Sequence, residues 1–284
     1  MKARLAFLSV LLVVAATSAF AADVLLPTFA WNIAGNGANN WSSEVYLTNP
    51  GAEAISVRLA ATYVGRIQDT HPCLLPSPVT IDVPAYSTKG WVGNRIWMDM
   101  GCPDFILAGL LLHAEAPFIV NSRMVNTFAA PNPATAGLFT GLSQEVPGIP
   151  VESLADKGGT YMLPALGWEP SPCGPARFNN TLQVVNPGDV DIEVTLMLDP
   201  SGTATGFLVD GRPVAAPYVV TIRARTWVQI KVAAELLRSV VCGPPRLADI
   251  FFRTSGPVAL YGSVVDRATQ DPRTTMPISI AVTP

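Results

Sequence analysis

The chain has 284 residues, of which 49% are hydrophobic and only 14% are charged, and its formal net charge is −3 at pH 7. A weakly acidic chain without a basic run does not suit nucleic acid or an anionic membrane surface, so we expect neither as a partner. The 26 prolines and 22 glycines favour many short strands joined by tight turns.

The first 21 residues have the layout of a secretory signal peptide. Lys2 and Arg4 give a basic start, residues 5–14 are mostly apolar, and Ala-Phe-Ala at residues 19–21 has the small-x-small form of a cleavage site. The alternative is an N-terminal membrane anchor, which needs about 20 apolar residues and usually lacks such a site. We therefore expect a secreted protein (periplasmic, cell-surface or extracellular) without a membrane span.

The rest of the chain repeats itself. The hexapeptide LPTFAW at residues 26–31 returns as LPALGW at residues 163–168. Asn-Pro-Gly at residues 49–51 returns at residues 186–188 with the same spacing. These matches predict two copies of one β-rich unit.

Alternation of apolar and polar residues predicts short strands in both copies. In the first copy they are expected around residues 43–48, 55–59, 79–81, 86–92, 105–114 and 117–120. The matching stretches of the second copy are residues 182–184, 192–196, 220–222, 226–232, 247–254 and 257–260. The second copy also has a longer hairpin around Gly202 and Asp210. A short helix is predicted next to the late cysteine of each copy, most clearly at residues 233–238.

About seven short strands per copy predict two packed antiparallel sheets. The predicted fold class is therefore all-β, with two tandem immunoglobulin-like (Ig-like) β-sandwich domains at residues 23–148 and 150–284, each with a short helix. Residues 144–159 contain prolines and then glycines, which predicts a linker that is stiff at first and then flexible. A barrel, or one continuous unit of about fourteen strands, is the alternative.

Four cysteines lie in the exported part of the chain, and an even number in an oxidising compartment favours two disulfides. Three pairings exist in principle. Because two cysteines fall in each copy, we expect Cys73 to pair with Cys102 and Cys173 with Cys242. Metal ligation is the alternative, but the thiols have no CxxC spacing, so no metal is predicted.

Asn-Pro-Gly turns, together with residues 255–266 and Asp271-Pro272, resemble the tandem Ig-like repeats of secreted bacterial proteins, whose functions are mostly unassigned. The resemblance covers most of the mature chain. It implies an exported β-sandwich module and carries over no catalytic residue. The first copy departs from the pattern, because Asn126 stands where the second copy has Asp266.

Residue types give little support for catalysis, and we expect no enzyme and no cofactor. The chain has two histidines, His71 and His113, but no Gly-x-Ser-x-Gly motif whose serine either histidine could activate as a base. A glycosidase needs two acids about 5 to 10 Å apart, and sequence alone does not pair any of the candidates. These candidates are Asp99, Asp104, Glu115, Asp249, Asp266 and Asp271. Residues 266–271 lack the alternating oxygen ligands of a calcium loop, and Arg267 opposes a cation.

Aromatic residues give the better functional signal. Trp31 and Trp168 are equivalent in the repeat, which predicts shared core packing. Trp41 follows Asn39 and Asn40 in a polar run, and the second copy has Phe178 in its place. An indole beside amides suits a sugar ring or a protein partner, so these three residues are the candidate binding surface, with core or rim packing as the alternative.

Together these features predict a non-catalytic exported module with a structural, adhesive or ligand-binding role in the cell envelope or extracellular space. Its expected partner is a protein or glycan at the cell surface, with self-association as a further candidate. One alternative is a subunit of an extracellular filament or assembly that adds β-strands, with residues 24–31 and 277–282 as donors. A weaker alternative is a hydrolase of a wall or matrix polymer.

Overall fold

The computed structural model describes residues 23–31, 33–34, 39–65, 79–92, 106–128, 143–168, 178–198, 204–209, 212–236, 246–266 and 272–280. Within these residues the fold is all-β, with several antiparallel sheets in a sandwich-like arrangement. The predicted signal peptide and the four cysteines, Cys73, Cys102, Cys173 and Cys242, lie outside the described residues, so those interpretations stay predictions.

The first half of the described chain, residues 23–150, contains ten strands. They are β1 (Asp23–Trp31), β2 (Ile33–Ala34), β3 (Asn39–Asn49), β4 (Ile55–Val64), β5 (Thr80–Val83), β6 (Ser87–Val92), β7 (Ile106–His113), β8 (Ile119–Phe128), β9 (Ser143–Pro147) and β10 (Ile149–Pro150). Sheet A has the order β10-β1-β7-β4-β5. Sheet B has the order β2-β3-β8-β9, and β6 also pairs with β3.

The second half follows a one-turn 3-10 helix at Val151–Ser153 and contains eleven described strands. They are β11 (Thr160–Trp168), β12 (Phe178–Asn186), β13 (Ile192–Leu198), β14 (Ala204–Val209), β15 (Arg212–Ala215), β16 (Tyr218–Ile222), β17 (Thr226–Leu236), β18 (Arg246–Thr254), β19 (Ala259–Asp266), β20 (Pro272–Thr275) and β21 (Ile278–Ile280). Sheet C has the order β15-β14-β17-β12-β19-β20, and sheet D has the order β16-β13-β18-β11-β21.

The two halves share one strand order, so the repeat in sequence is also a repeat in topology. Sheet D matches sheet A strand for strand. Sheet C matches the strands β6, β3, β8 and β9 of sheet B, with the β14–β15 hairpin added and without a described counterpart of β2. That hairpin fits the longer hairpin predicted near Gly202 and Asp210. Each half has its own core: Phe29, Leu47 and Leu110 are fully buried in the first, and Phe207 and Phe252 in the second.

The asparagine of each Asn-Pro-Gly turn makes the same set of hydrogen bonds in the two halves, and this set is called the latch. The side-chain Oδ1 of Asn49 accepts the Gly51 amide at 2.9 Å, and Asn186 does the same for Gly188 at 3.0 Å. Each buried Nδ2 also lies within 3.2 Å of three backbone carbonyls. These belong to Glu53, Val83 and Pro84 in the first half, and to Val190, Ile222 and Arg223 in the second. The amide therefore ties the turn to the end of the next sheet.

Two expectations from sequence are wrong. Residues 233–236, predicted as a helix, continue β17, and Ala233 and Ala234 pair with Leu208 and Phe207 of β14. Residues 144–150, predicted as the stiff part of a linker, form β9 and β10. The next residues are also packed, because Leu154 and Ala155 are buried.

Candidate binding surface

The polar run with Trp41 begins β3, so it is a strand and not a free loop. Trp41 is half-buried and is the register partner of Ile33 in β2 and Asn126 in β8. Asn40 lies opposite Ala34 and Thr127, and Asn39 opposite Phe128. The three candidate residues are therefore together at one end of sheet B.

The differences between the two copies meet at this place. Trp41 lies opposite Asn126 in the first half, and Phe178 lies opposite Asp266 in the second. Sequence comparison found these two exchanges separately, and the strand register makes them a single local difference. The corner that carries Trp41 and Asn126 is thus one place where sheet B differs chemically from its counterpart in sheet C.

A tryptophan that the sequence did not single out joins the two halves. Trp227 is 1% exposed, and its indole Nε1 donates to the Pro27 carbonyl and lies 3.1 Å from the Thr28 hydroxyl. Its ring lies on the backbone of Gly65, where a methyl group would approach ring carbon Cε3 to 2.3 Å. In the sequence, this contact is indicated by a mismatch between the two copies, because Thr88 of the first half stands at the position of Trp227.

The surrounding contact packs sheet A against sheet C. The outward face of sheet A contributes Leu25, Ala61, Tyr63, Leu107, Leu111 and Ile149. Val185, Trp227 and Ala259 of sheet C cover it. Gly109 lets the sheets approach closely, because a methyl group there would lie 2.9 Å from Val185. Both faces of the central strands of sheet C are therefore buried.

Polar groups extend this contact beyond its apolar part. The Ser263 hydroxyl of β19 donates to Gln144 of β9 at 3.0 Å, and both side chains are buried. Tyr261 of β19 reaches into the core of the first half, and burial raises the pKa of its hydroxyl far above the usual range. The hydroxyl of Thr274 in β20 donates to the backbone carbonyl of Glu145 in β9. Packing of this kind fixes the orientation of the two halves.

His113 is held between two carboxylates at the end of β7. Its Nδ1 lies 2.7 Å from Asp23, and its Nε2 lies 3.2 Å from the exposed Glu115. These two hydrogen bonds raise the pKa of His113. At the matching place in the second half, Arg253 donates to Thr160 at 3.0 Å across the equivalent strands. His113 is thus one member of a cross-strand pair at the ends of β1 and β7, two inner strands of sheet A.

Two of the clefts among the described residues are lined mainly by the second half. The larger, about 530 Å³, is wide and open beside Trp227, and Asp191 and Arg223 are its charged lining residues. Asp191 is already bound to the turn, because it accepts the Ala224 amide at 2.9 Å. The smaller, about 210 Å³, lies between Leu154, Tyr161 and Met276 and is mostly apolar.

Several of the other candidate groups fall outside the described residues. His71, Asp99, Asp104 and Asp271 are outside them, so a paired-acid site stays untested. Among the residues that the structure describes, no group of three or more His, Cys, Asp or Glu side chains is placed to hold a metal ion. In the same part of the chain, no helix has the length and apolar character needed to cross a membrane.

Comparison with known proteins gives no relative from which a function can be transferred. No protein-family model, no curated protein and no solved structure matches this chain.

Proposed function

We propose that this chain is a non-catalytic exported module with a structural, adhesive or ligand-binding role in the cell envelope or extracellular space. The observation that carries the proposal is the buried contact between sheet A and sheet C around Trp227. It joins two sandwiches into one rigid body and holds their outer surfaces in a constant relative orientation. A rigid scaffold favours binding and load-bearing because little conformational freedom is lost when a partner attaches.

We further propose that each half is a variant of the Ig-like sandwich. Two strand pairings support this. β3 pairs with β6, as the second strand of an Ig domain pairs with the fifth, and β4 pairs with β7, as the third strand pairs with the sixth. The outer strands are exchanged, because β1 pairs with β7 and β8 with β3. Export by the predicted signal peptide and two disulfides complete the proposal.

The proposed contact surface for a protein or glycan partner is the corner formed by Asn39, Asn40 and Trp41. Trp41 is half-buried and projects from the same side of β3 as the buried Ser43 and Val45, so its indole lies at the rim of the core with part of its surface available for stacking. The second half offers Phe178 at the equivalent position, a ring without an N–H donor. Only the first half therefore presents the complete candidate surface.

The test is binding of the purified mature protein to separated envelope fractions, polysaccharide in one and protein in the other. Trp41→Ala is expected to reduce binding at least tenfold, and Trp41→Phe, which copies the second half, is expected to retain part of it. Equal binding of Trp41→Ala and wild type would show that the surface lies elsewhere. Release of soluble fragments from the polysaccharide by the wild-type protein would overturn the non-catalytic role.

A second candidate is a subunit of an extracellular assembly built by β-strand addition. It is favoured by β21, an edge strand of sheet D whose Ile278 is 50% exposed. β1 suits this role less, because it lies between β10 and β7 and its Leu25 and Leu26 are fully buried. Truncation after Met276 removes β21, so assembly that survives this truncation would contradict strand addition.

A further inference from the structure

The outward face of sheet D carries an apolar row across four neighbouring strands. Ile278 is the register partner of Met162, Met162 of Phe251, and Phe251 of Met197. Register partners on antiparallel strands project from the same face of a sheet. That face is the outer one, because the next residue, Phe252, is fully buried in the core. These four residues are called row D.

Row D has an exact counterpart in the first half. There, strand register joins Ile149, Leu25, Leu111 and Ala61, which are called row A. Row A is covered by Val185, Trp227 and Ala259 of sheet C. The molecule itself therefore contains one example of what packs on a row of this type, namely the face of another sandwich.

Row D is apolar like row A, but no sheet among the described residues covers it. Ile278 is 50% exposed, and Met162, Phe251 and Met197 are half-buried. Val219, on the same face of the other edge strand, is 49% exposed. A sheet face with this many large apolar side chains is typical of an interaction surface.

Sheet B of a second copy is a poor partner for row D, although it is the repeat counterpart of sheet C. Thr48 and Thr88 stand where sheet C has Val185 and Trp227. The exposed hydroxyls of these two threonines hydrogen bond to each other at 2.9 Å. A head-to-tail chain of copies would therefore lack the anchor that holds the two halves together.

We propose that row D is the contact surface of a homodimer, in which row D of a second copy packs against it about a two-fold axis. β18 places Asp249, Phe251 and Arg253 on this face at alternate positions. In this dimer the axis lies in the contact plane at a right angle to β18 and passes near Phe251, so the two copies of β18 run antiparallel. Asp249 of each copy then faces Arg253 of the other, and the surface is self-complementary. The inference rests on the proposed function as a binding or assembly module and names a second copy as the partner.

The size of the face sets the strength of the dimer. Five strands about 4.8 Å apart and about five residues long cover an area of about 24 by 17 Å, or about 400 Å². A stable complex buries about 800 Å² on each partner. We therefore expect a weak, reversible dimer that forms only at high protein concentration.

Sedimentation of the mature protein between about 1 and 300 µM tests the proposal. The wild type is expected to change from monomer to dimer across this range. Phe251→Asp and the more exposed Ile278→Lys are expected to stay monomeric. Ile119→Lys, a matched control on sheet B where Ile119 is 41% exposed, is expected to dimerise. A wild type that is monomeric throughout, or a folded Ile278→Lys that still dimerises, would overturn the proposal.

Exchange of charges tests the two-fold axis. Asp249→Lys alone and Arg253→Asp alone are each expected to lose the dimer, because like charges then face each other. An equal mixture of the two variants is expected to regain it, since both contacts become complementary in the heterodimer. A mixture that stays monomeric, or loss of the dimer in Ile119→Lys, would overturn the two-fold arrangement.

Dimerisation through row D and binding through the Trp41 corner are tested by different variants, so either can fail without the other. Phe251 lies in sheet D of the second half and Trp41 in sheet B of the first, so the binding of Phe251→Asp to envelope fractions is expected to match that of wild type. Strand addition by β21 is also separated, because Phe251 lies inside the sheet and its substitution leaves the edge intact. Dimers that persist in Phe251→Asp and disappear on truncation after Met276 would support strand addition and overturn the dimer through row D.

Discussion

Replacing Trp227 with threonine, the residue type at the equivalent place in the first half, removes the largest fully buried side chain among the described residues. A buried tryptophan takes about 150 to 250 Å² out of water, which corresponds to about 4 to 6 kcal/mol at 25 cal/mol per Å². That figure is an upper limit, because an unfolded chain already buries part of this area. Truncations of buried aromatic residues cost about 3 to 5 kcal/mol, and we expect the same loss here.

Urea unfolding followed by far-ultraviolet circular dichroism measures this loss without depending on tryptophan fluorescence. Trp227→Phe keeps a ring over Gly65 but removes the indole N–H, so we expect a smaller cost of about 1 to 2 kcal/mol. Thr88→Ala is the matched control, because Thr88 is exposed, and it is expected to change stability by less than about 0.5 kcal/mol. A loss below about 1 kcal/mol in Trp227→Thr would refute the claim that this side chain locks the halves together.

Further predictions concern the close approach, the latches and the histidine. Gly65→Ala is expected to cost about 1 to 3 kcal/mol in the same urea assay, because the added methyl meets a rigid ring, and an unchanged midpoint would contradict the close contact. Asn49→Asp and Asn186→Asp are each expected to lower the free energy of unfolding by at least about 2 kcal/mol, because a carboxylate then faces three carbonyl oxygens. If Asn→Ala were more destabilising than Asn→Asp in both halves, these side-chain hydrogen bonds would be wrongly assigned. Protonated His113 is stabilised by Asp23, so its contribution is complete below about pH 6.5 and is lost as pH rises through the raised pKa. Thermal unfolding of His113→Gln is expected to vary less with pH over that window than wild type, and identical profiles would argue against the pair.

The repeat and the strands were predictable because their signals are local. Alternation of apolar and polar residues depends on only a few neighbours, and it located the strands that became β3 and β4. A continuous apolar run located the strand that became β7. The Asn-Pro-Gly turns were found for the same reason, although the threefold carbonyl contact of Asn49 becomes visible only in three dimensions.

The helix prediction failed because a distant partner outweighed local preference. Alanine, glutamate and leucine at residues 233–236 are good helix formers, yet the added β14 strand supplies a hydrogen-bonding edge for them. The linker prediction failed because proline was taken as a sign of irregular chain. Pro147 and Pro150 lie in β9 and β10, which are edge strands of their sheets, where a missing N–H is tolerated.

The joint between the halves could not be predicted from the repeat alone. Trp227 lies next to Thr226 in a strand whose counterpart was correctly aligned, and a single exchange for Thr88 does not reveal what the ring touches. Its partners Thr28 and Gly65 are more than a hundred residues away in the chain. The same exchange explains why the outer face of sheet C is buried while that of sheet B is open.

The most direct test of the account is the environment of the Trp227 indole in solution. In a ¹⁵N-labelled sample, the Trp227 indole N–H, identified by its loss in Trp227→Phe, is expected to exchange slowly with solvent and to show a nuclear Overhauser contact to Thr28. The ring proton on Cε3 of Trp227 is expected to show a contact to Gly65. These contacts follow from the hydrogen bonds to Pro27 and Thr28 and from the ring that lies on Gly65. An indole proton that exchanges rapidly and shows contacts only within the second half would contradict the rigid joint between the two sandwiches.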